Sequence, residues 1–303
     1  MTPAPTSPPG APPASPSGAR PVPPPDVLAV APMLLLTLTL MFSALLATTA
    51  FAGTAAANGA ADGKAVKRYR LLGISPQDQR RPVQRPAPPW TAVGRVNRRT
   101  GGFCSGTLIA PAQVLTAAHC LWNKRTRRWL GADALHFLAG YSRGEYLVHG
   151  KVRAVRLSPV ITVDNQGRPI DPATDWAVLT LVAPMTGIAN LRPIALAQAA
   201  DLAALREGGE LLQAGYSSDR AHMLTVVDAC QLVGRRRTKS GTLLLHNCDA
   251  TFGDSGSPVL MRVAGGLRIF GIHVAVQRKD GRDLGLAVRI PDELVQPTAS
   301  RGE

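Results

Sequence analysis

An all-β fold is what this chain predicts, and three observations carry the prediction. Beyond Trp90, twelve short runs rich in Val, Leu, Ile and Phe follow one another, separated by turns of Gly, Asp and Asn. Only one stretch, residues 197–207, reads as a clear helix. The chain has 303 residues, 45% of them hydrophobic, which is ample for a buried core. Periodicity alone leaves a sandwich and a barrel both open.

The strands are expected at 92–96, 103–109, 113–117, 135–138, 146–155, 176–181, 211–214, 224–227, 242–245, 258–263, 268–276 and 285–290. What precedes them has another texture. Residues 1–25 are dominated by Pro, Ala and Ser, a composition that builds no core. An uncharged apolar run follows, densest over 33–46, and closes at Ala50-Phe51-Ala52. A short apolar core before A-x-A reads as a secretory signal cleaved after Ala52, giving a secreted protein, periplasmic or extracellular. The leading segment is long for that and carries only Arg20 as a basic residue. Two alternatives follow: translation starting at Met33, or the run 27–52 kept as a membrane anchor, for which it is long enough. Residues 53–88 are Ala-rich, then basic and Pro-rich, without sustained period, and read as a pro-segment or linker. The folded domain is expected over 89–303.

Charge is the unusual quantity. Against 20 acidic residues stand 34 basic ones, a balance of +14, nearly all beyond residue 50. Such a surface attracts polyanions, including nucleic acid, anionic lipid and acidic cell-wall polymers. No aromatic-interleaved or helical recognition motif accompanies it, so a specific nucleic-acid site is not expected. The four cysteines form no C-x-x-C, which argues against a zinc or redox centre; their even number suits an oxidising compartment. Neither metal nor cofactor is expected.

Three motifs carry the chemistry: Thr116-Ala117-Ala118-His119-Cys120, Asp175-Trp176-Ala177-Val178-Leu179, and Gly253-Asp254-Ser255-Gly256-Ser257-Pro258. A serine hydroxyl is a poor nucleophile at neutral pH. It becomes a good one when a histidine accepts its proton and a buried carboxylate fixes that imidazole's tautomer. Asp175 abuts an apolar run, where a carboxylate is costly unless paired. Asp171, just before Pro172, suits a turn better. Gly253 and Gly256 permit the tight backbone that exposes the Ser255 hydroxyl.

In this order and context the motifs, with Phe103-Cys104-Ser105-Gly106-Thr107-Leu108-Ile109, resemble the trypsin/chymotrypsin-like serine proteases over residues 90–291. The resemblance implies two six-stranded antiparallel barrels with the active site between them. It implies His119 as general base, Asp175 as its orienter, Ser255 as nucleophile, and the N–H groups of Gly253 and Ser255 as the oxyanion hole. It also implies disulfides Cys104–Cys120 and Cys230–Cys248. Ser257-Pro258 in place of Gly-Pro, and the distance of Cys248 from Ser255, resemble the bacterial glutamyl-endopeptidase branch. No Ile/Val-Val-Gly-Gly start is present, so an amino-terminal salt bridge to Asp254 is not expected. The far wall of the site should be Gly271-Ile272-His273-Val274-Ala275-Val276, with the Val274–Val276 backbone pairing an extended peptide.

For substrate choice, Asp249 lies six residues before Ser255, where trypsin-like enzymes keep the carboxylate that binds Lys or Arg. His273 aligns with the histidine that glutamyl endopeptidases use for an acidic side chain. The expectation is cleavage after Lys or Arg. His136, His149, His222 and His246 are read as surface or packed residues. The partners expected are protein or peptide substrates, with a possible polyanion on the basic surface, and a membrane only if the leader is uncleaved. A monomer is expected. The rival readings are a protease-fold protein that binds without catalysis, and a polyanion binder.

Overall fold

In the structure, a computed structural model, residues 71–295 are described. The leader and signal readings, and the first part of the 53–88 segment, lie outside them. Within the described residues the chain is built mainly of strands. These are β1 (Arg81–Val83), β2 (Val93–Arg98), β3 (Phe103–Ala110), β4 (Gln113–Thr116), β5 (Trp122–Asn123), β6 (Arg128–Trp129), β7 (Leu135–Ala139), β8 (Val148–Leu157) and β9 (Ala177–Leu181). After the short helix α1 (Ala199–Ala204) follow β10 (Glu210–Gly215), β11 (Leu224–Arg237), β12 (Thr242–His246), β13 (Pro258–Val263), β14 (Gly266–Lys279) and β15 (Arg282–Arg289), and α2 (Asp292–Val295) ends the series.

The alternation of the sequence decides which faces are buried. In β7, Leu135, Phe137 and Ala139 turn inward while His136 and Leu138 are only partly covered. Six strands close a barrel in the order β2-β3-β4-β9-β8-β7. The carboxyl-terminal strands form a ring-like sheet, β11-β10-β13-β14-β15-β12, in which β11 also pairs β12, with β1 added outside β11. The hydrophobic core includes Leu108, Leu115, Phe137 and Leu179 from the first and Leu212, Leu260, Ile269 and Val288 from the second. The helix is shorter than residues 197–207 predict: a capping box of Gln198 and Asp201 starts it, and the backbone turns extended at Leu205. Among the described residues no helix is long and apolar enough to cross a membrane.

All twelve predicted strands have counterparts. The main extension is β11, which continues through Gln231, Gly234 and Arg237, residues too polar to register as a strand, because it changes partner from β10 to β12. The strands that sequence missed are short, β1, β5 and β6.

The segment read as a pro-segment or linker is ordered over its described part. Residues 71–88 pack onto the folded unit. β1 pairs with Leu224–Val226 of β11. Arg80, with a side chain 1% exposed, reaches Asp78 and Asp219 at 2.8 Å each. Arg220 adds to the cluster by donating to Asp78 and to the Arg80 carbonyl. Arg80 is buried, while Arg81 stays exposed and pairs with Asp228 at 2.8 Å. Arg80→Ala should strand two carboxylates beside one arginine and cost about 3 kcal/mol. Urea unfolding checks this: the midpoint should fall with the slope unchanged.

Candidate active site

The barrel register brings the first two residues together. β4 and β9 are antiparallel neighbours with Thr116 opposite Ala177. The chain leaving β4 turns through a 3-10 segment, Ala118–Leu121, while the chain entering β9 comes from Asp175. His119 and Asp175 therefore meet at one end of the strand pair. His119 Nδ1 lies 2.6 Å from Asp175 Oδ2, and the His119 amide donates to Oδ1 at 2.8 Å. Asp175 is 3% exposed. Asp171 instead caps the preceding turn, accepting from the Ala173 and Ser240 amides.

Burial pulls the His119 pKa down, but the charge and hydrogen bond of Asp175 outweigh it and hold the imidazole above its ordinary value; Arg98 and Lys124 pull weakly the other way. The Cys104–Cys120 disulfide ties the His119 segment to β3, and Cys230–Cys248 links β11 to the loop after β12. Cys104, His119 and Cys120 bring potential ligand atoms within 4.8 Å of one another. Both sulfurs are in the disulfide, so no thiolate is there to hold a metal.

Ser255 sits partly exposed in the loop between β12 and β13 and lines a cleft of about 520 Å³ with His119 and Asp175. Its neighbours require glycine. Gly253 has φ +92°, and a Cβ there would lie 2.5 Å from the Tyr216 carbonyl oxygen. Gly256 has φ +85°, and a Cβ would lie 2.2 Å from the Ser105 carbonyl oxygen. Ser105, which sequence reasoning passed over, clamps the loop. Its amide donates to the Ser255 carbonyl at 2.8 Å, and its hydroxyl donates to the Gly253 carbonyl at 3.0 Å while accepting the Tyr216 amide. The signal available was its place next to Cys104, in a run where every residue from Cys104 to Leu108 is buried. The amides of Gly253 and Ser255 donate to no protein acceptor among the described residues.

Asp254 turns inward, 2% exposed. The Ser217 hydroxyl (2.6 Å) and Thr251 amide (2.9 Å) donate to its Oδ2, and burial pushes its pKa up to about 6 against those bonds.

The far wall is β14, with His273, Val274, Ala275 and Val276 lining the cleft beside Thr251, the exposed Phe252 and Leu72. The reading of Asp249 as the cleft's selector is corrected. It lies outside the cleft lining, and its oxygens accept from the Ser75 amide (2.7 Å), the Ser75 hydroxyl (2.8 Å) and the Gln79 amide (2.7 Å). It anchors the amino-terminal strap, which a sequence reading of 53–88 as a linker could not supply.

His246 is also more than a packed residue. Fully buried, it accepts the Cys248 amide on Nδ1 at 3.3 Å, so Nε2 carries its proton and donates to His273 Nδ1 at 3.1 Å. His273 is left with its Nε2–H. Burial holds His246 down near a pKa of about 4; burial, then His246 and His119, holds His273 well below its usual range. Both rings are neutral at pH 7. The other histidines pair locally, His136 with His149 and His222 with Tyr141.

A sequence model of the Trypsin family matches residues 78–293, most of the chain. The chain belongs to the trypsin family of serine-type peptidases. It is also 31% identical over 131 residues to the Modular serine protease of Drosophila melanogaster, covering 42% of this chain but 21% of that protein. The chain thus spans about a fifth of the length of that curated relative.

A base with a raised pKa must lose its proton before it can work. The acid limb of kcat/KM should therefore fall above the ordinary imidazole value of 6.5. Asp175→Asn should move that limb to lower pH and cut kcat by about 10⁴-fold. A pH–rate profile of both proteins is the check.

Proposed function

We propose that this chain is an exported serine endopeptidase of chymotrypsin-like two-barrel architecture, working through an acyl-enzyme. The observation that carries the reading is the pair of hydrogen bonds between His119 and the buried Asp175 in the cleft that also holds Ser255. His119 Nε2 takes the Ser255 proton as the hydroxyl attacks the scissile carbonyl, and the Asp175 carboxylate steadies the imidazolium. The amides of Gly253 and Ser255, held by the Ser105 clamp, donate to the developing oxyanion. His119 then protonates the leaving amine, and water releases the acyl group. Two disulfides suit export into an oxidising compartment.

Cleavage after Lys or Arg rested on Asp249, whose oxygens are occupied by Ser75 and Gln79. Our reading of specificity is therefore a side chain that accepts a hydrogen bond, Glu foremost. Two features support it. His273 keeps an Nε2–H to offer, and the cleft is lined by Lys124 and Arg168 while Asp175, its only carboxylate among the described residues, is held by His119. A cationic side chain would meet like charge there.

Ser255→Ala should abolish proteolysis with the fold intact, a loss of up to about 10⁶ in kcat, and His119→Ala should cost a comparable amount with little added in the double variant. A fluorophosphonate probe should label the parent chain and not Ser255→Ala. Labelling that persists in Ser255→Ala would sink the assignment.

Specificity is tested with matched peptides ending in Glu, Ala or Arg before the scissile bond. The order expected is Glu above Ala above Arg, with Glu over Arg by at least about tenfold, and Asp249→Ser should leave that order standing. An Arg preference lost in Asp249→Ser would restore the basic pocket.

A further inference from the structure

The cleft wall does not end at Val276. β14 continues through Gln277, Arg278 and Lys279 before it turns into β15. Its pairing with β13 stops at Pro258 opposite Ile272, whereas its pairing with β15 runs on to Lys279 opposite Arg282. From Val274 onward, one edge of β14 carries no partner strand among the described residues. An open edge is a template for an added extended chain: main-chain bonds supply affinity and side chains supply selection.

Charge is concentrated on the sheet face beside the far end of β14, toward β12 and β11. A groove of about 370 Å³ is lined by Arg235, Arg236, Leu245, Gln277, Arg278 and Lys279, and among the described residues by no carboxylate. Arg236 reaches across from β11 and donates to the Gln277 Oε1 at 3.4 Å. The nearest acids on this hairpin are committed or outside the groove. Asp283 is tucked under the strap, accepting the Gly73 amide on Oδ2 at 3.2 Å, with Oδ1 3.9 Å from Arg278 Nε. Asp280 sits exposed at the turn. Arg236, Arg278 and Lys279 are all exposed.

We infer that this groove is an exosite for acidic side chains on the amino-terminal side of the scissile bond. The inference rests on the protease reading above, and it gives the substrate class as proteins with an acidic stretch shortly before the cleavage point. Every ladder of the sheet is antiparallel. Ser255 lies at the His273 end of the wall, where the Gly256 amide donates to the His273 carbonyl at 2.8 Å. A substrate added to β14 in the antiparallel sense therefore runs its preceding residues toward Lys279. At about 3.3 Å per residue, Arg278 and Lys279 face roughly the fourth to sixth residue before the scissile bond. Single exposed charge pairs are weak, so three together should give roughly tenfold selectivity at low salt.

The test uses the full chain and peptides that share one cleavage sequence. They carry a neutral, an Asp-rich or a Lys-rich arm at those positions, and a truncated peptide lacks the arm. The ratio of kcat/KM for acidic over neutral arms should be roughly 10, carried mainly by KM, and should approach 1 at about 0.5 M salt. The double reversal Arg278→Glu with Lys279→Glu should favour the Lys-rich arm instead. Fluorophosphonate labelling and turnover of the truncated peptide report separately on the protease. Labelling and turnover with a ratio of 1 would overturn the exosite alone; absence of both would overturn the protease reading and the exosite with it. An acidic preference that survives the double reversal would put the selection elsewhere. Salt-sensitive retention on heparin with equal rates on all arms would make the groove a polysaccharide surface and equally end the proposal.

Discussion

Asp175 is almost out of reach of water, and the hydrogen bonds to its two oxygens come from one residue, through the amide and the ring of His119. A carboxylate so placed is costly unless its charge is answered. The answer fixes the imidazole as well: Nδ1 is committed to Asp175, which leaves Nε2 for the reaction. Strand register delivers both residues, because Thr116 opposite Ala177 sets the ends of β4 and β9 side by side. A slip of one residue would turn every side chain of β9 to the other face and separate the pair. Barrel pairing and proton transfer are thus one constraint.

Three buried carboxylates in this molecule are satisfied in three ways, and the differences assign their roles. Asp175 faces an imidazole and orients it through Nδ1. Asp249 is occupied by donors from Ser75 and Gln79, so its negative charge holds the amino-terminal strap. Asp254, with one hydroxyl and one amide, is the least compensated, and burial raises its pKa to about 6. Together the last two hold the loop before Ser255 from opposite sides. The Ala250 amide meets the Gly73 carbonyl at 3.1 Å on the strap side, and the Ser218 amide meets the Phe252 carbonyl at 2.6 Å on the other. The Ser105 clamp completes the support.

What sequence could reveal follows from how local each signal is. His119, Asp175 and Ser255 stand in short motifs whose neighbours, Cys120, Trp176 and Gly256, are themselves constrained, so these three candidates, which line one cleft, were legible. The strands were legible too, since apolar runs between turns need no knowledge of partners. Features built from distant residues were not. Asp249 looked like a cleft carboxylate because its place is counted from Ser255, whereas its surroundings come from residues 170 or more positions earlier. His246 and His273 are 27 residues apart and meet only because β12 and β14 both flank β15. Residues 71–88 lacked periodicity since they fold on contacts with β11 and Asp249 instead of a hydrophobic face of their own.

The excess of basic residues acquires meaning only where the backbone gives it direction. A uniformly cationic surface attracts any polyanion, and its field fades over about 8 Å in physiological salt. It cannot by itself tell one acidic chain from another. β14 adds what the charge lacks, a line of main-chain donors and acceptors that begins beside Ser255 and ends at Lys279. A peptide held along that edge has a fixed sense, and its side chains reach Arg278 and Lys279 only at a set distance from the bond to be cut. The proposed role of His273 in the cleft follows the same logic: one N–H oriented by His246 would select by geometry where a free charge would select by sign alone. On the two proposals made above, a general attraction becomes a positional one because it is attached to a strand.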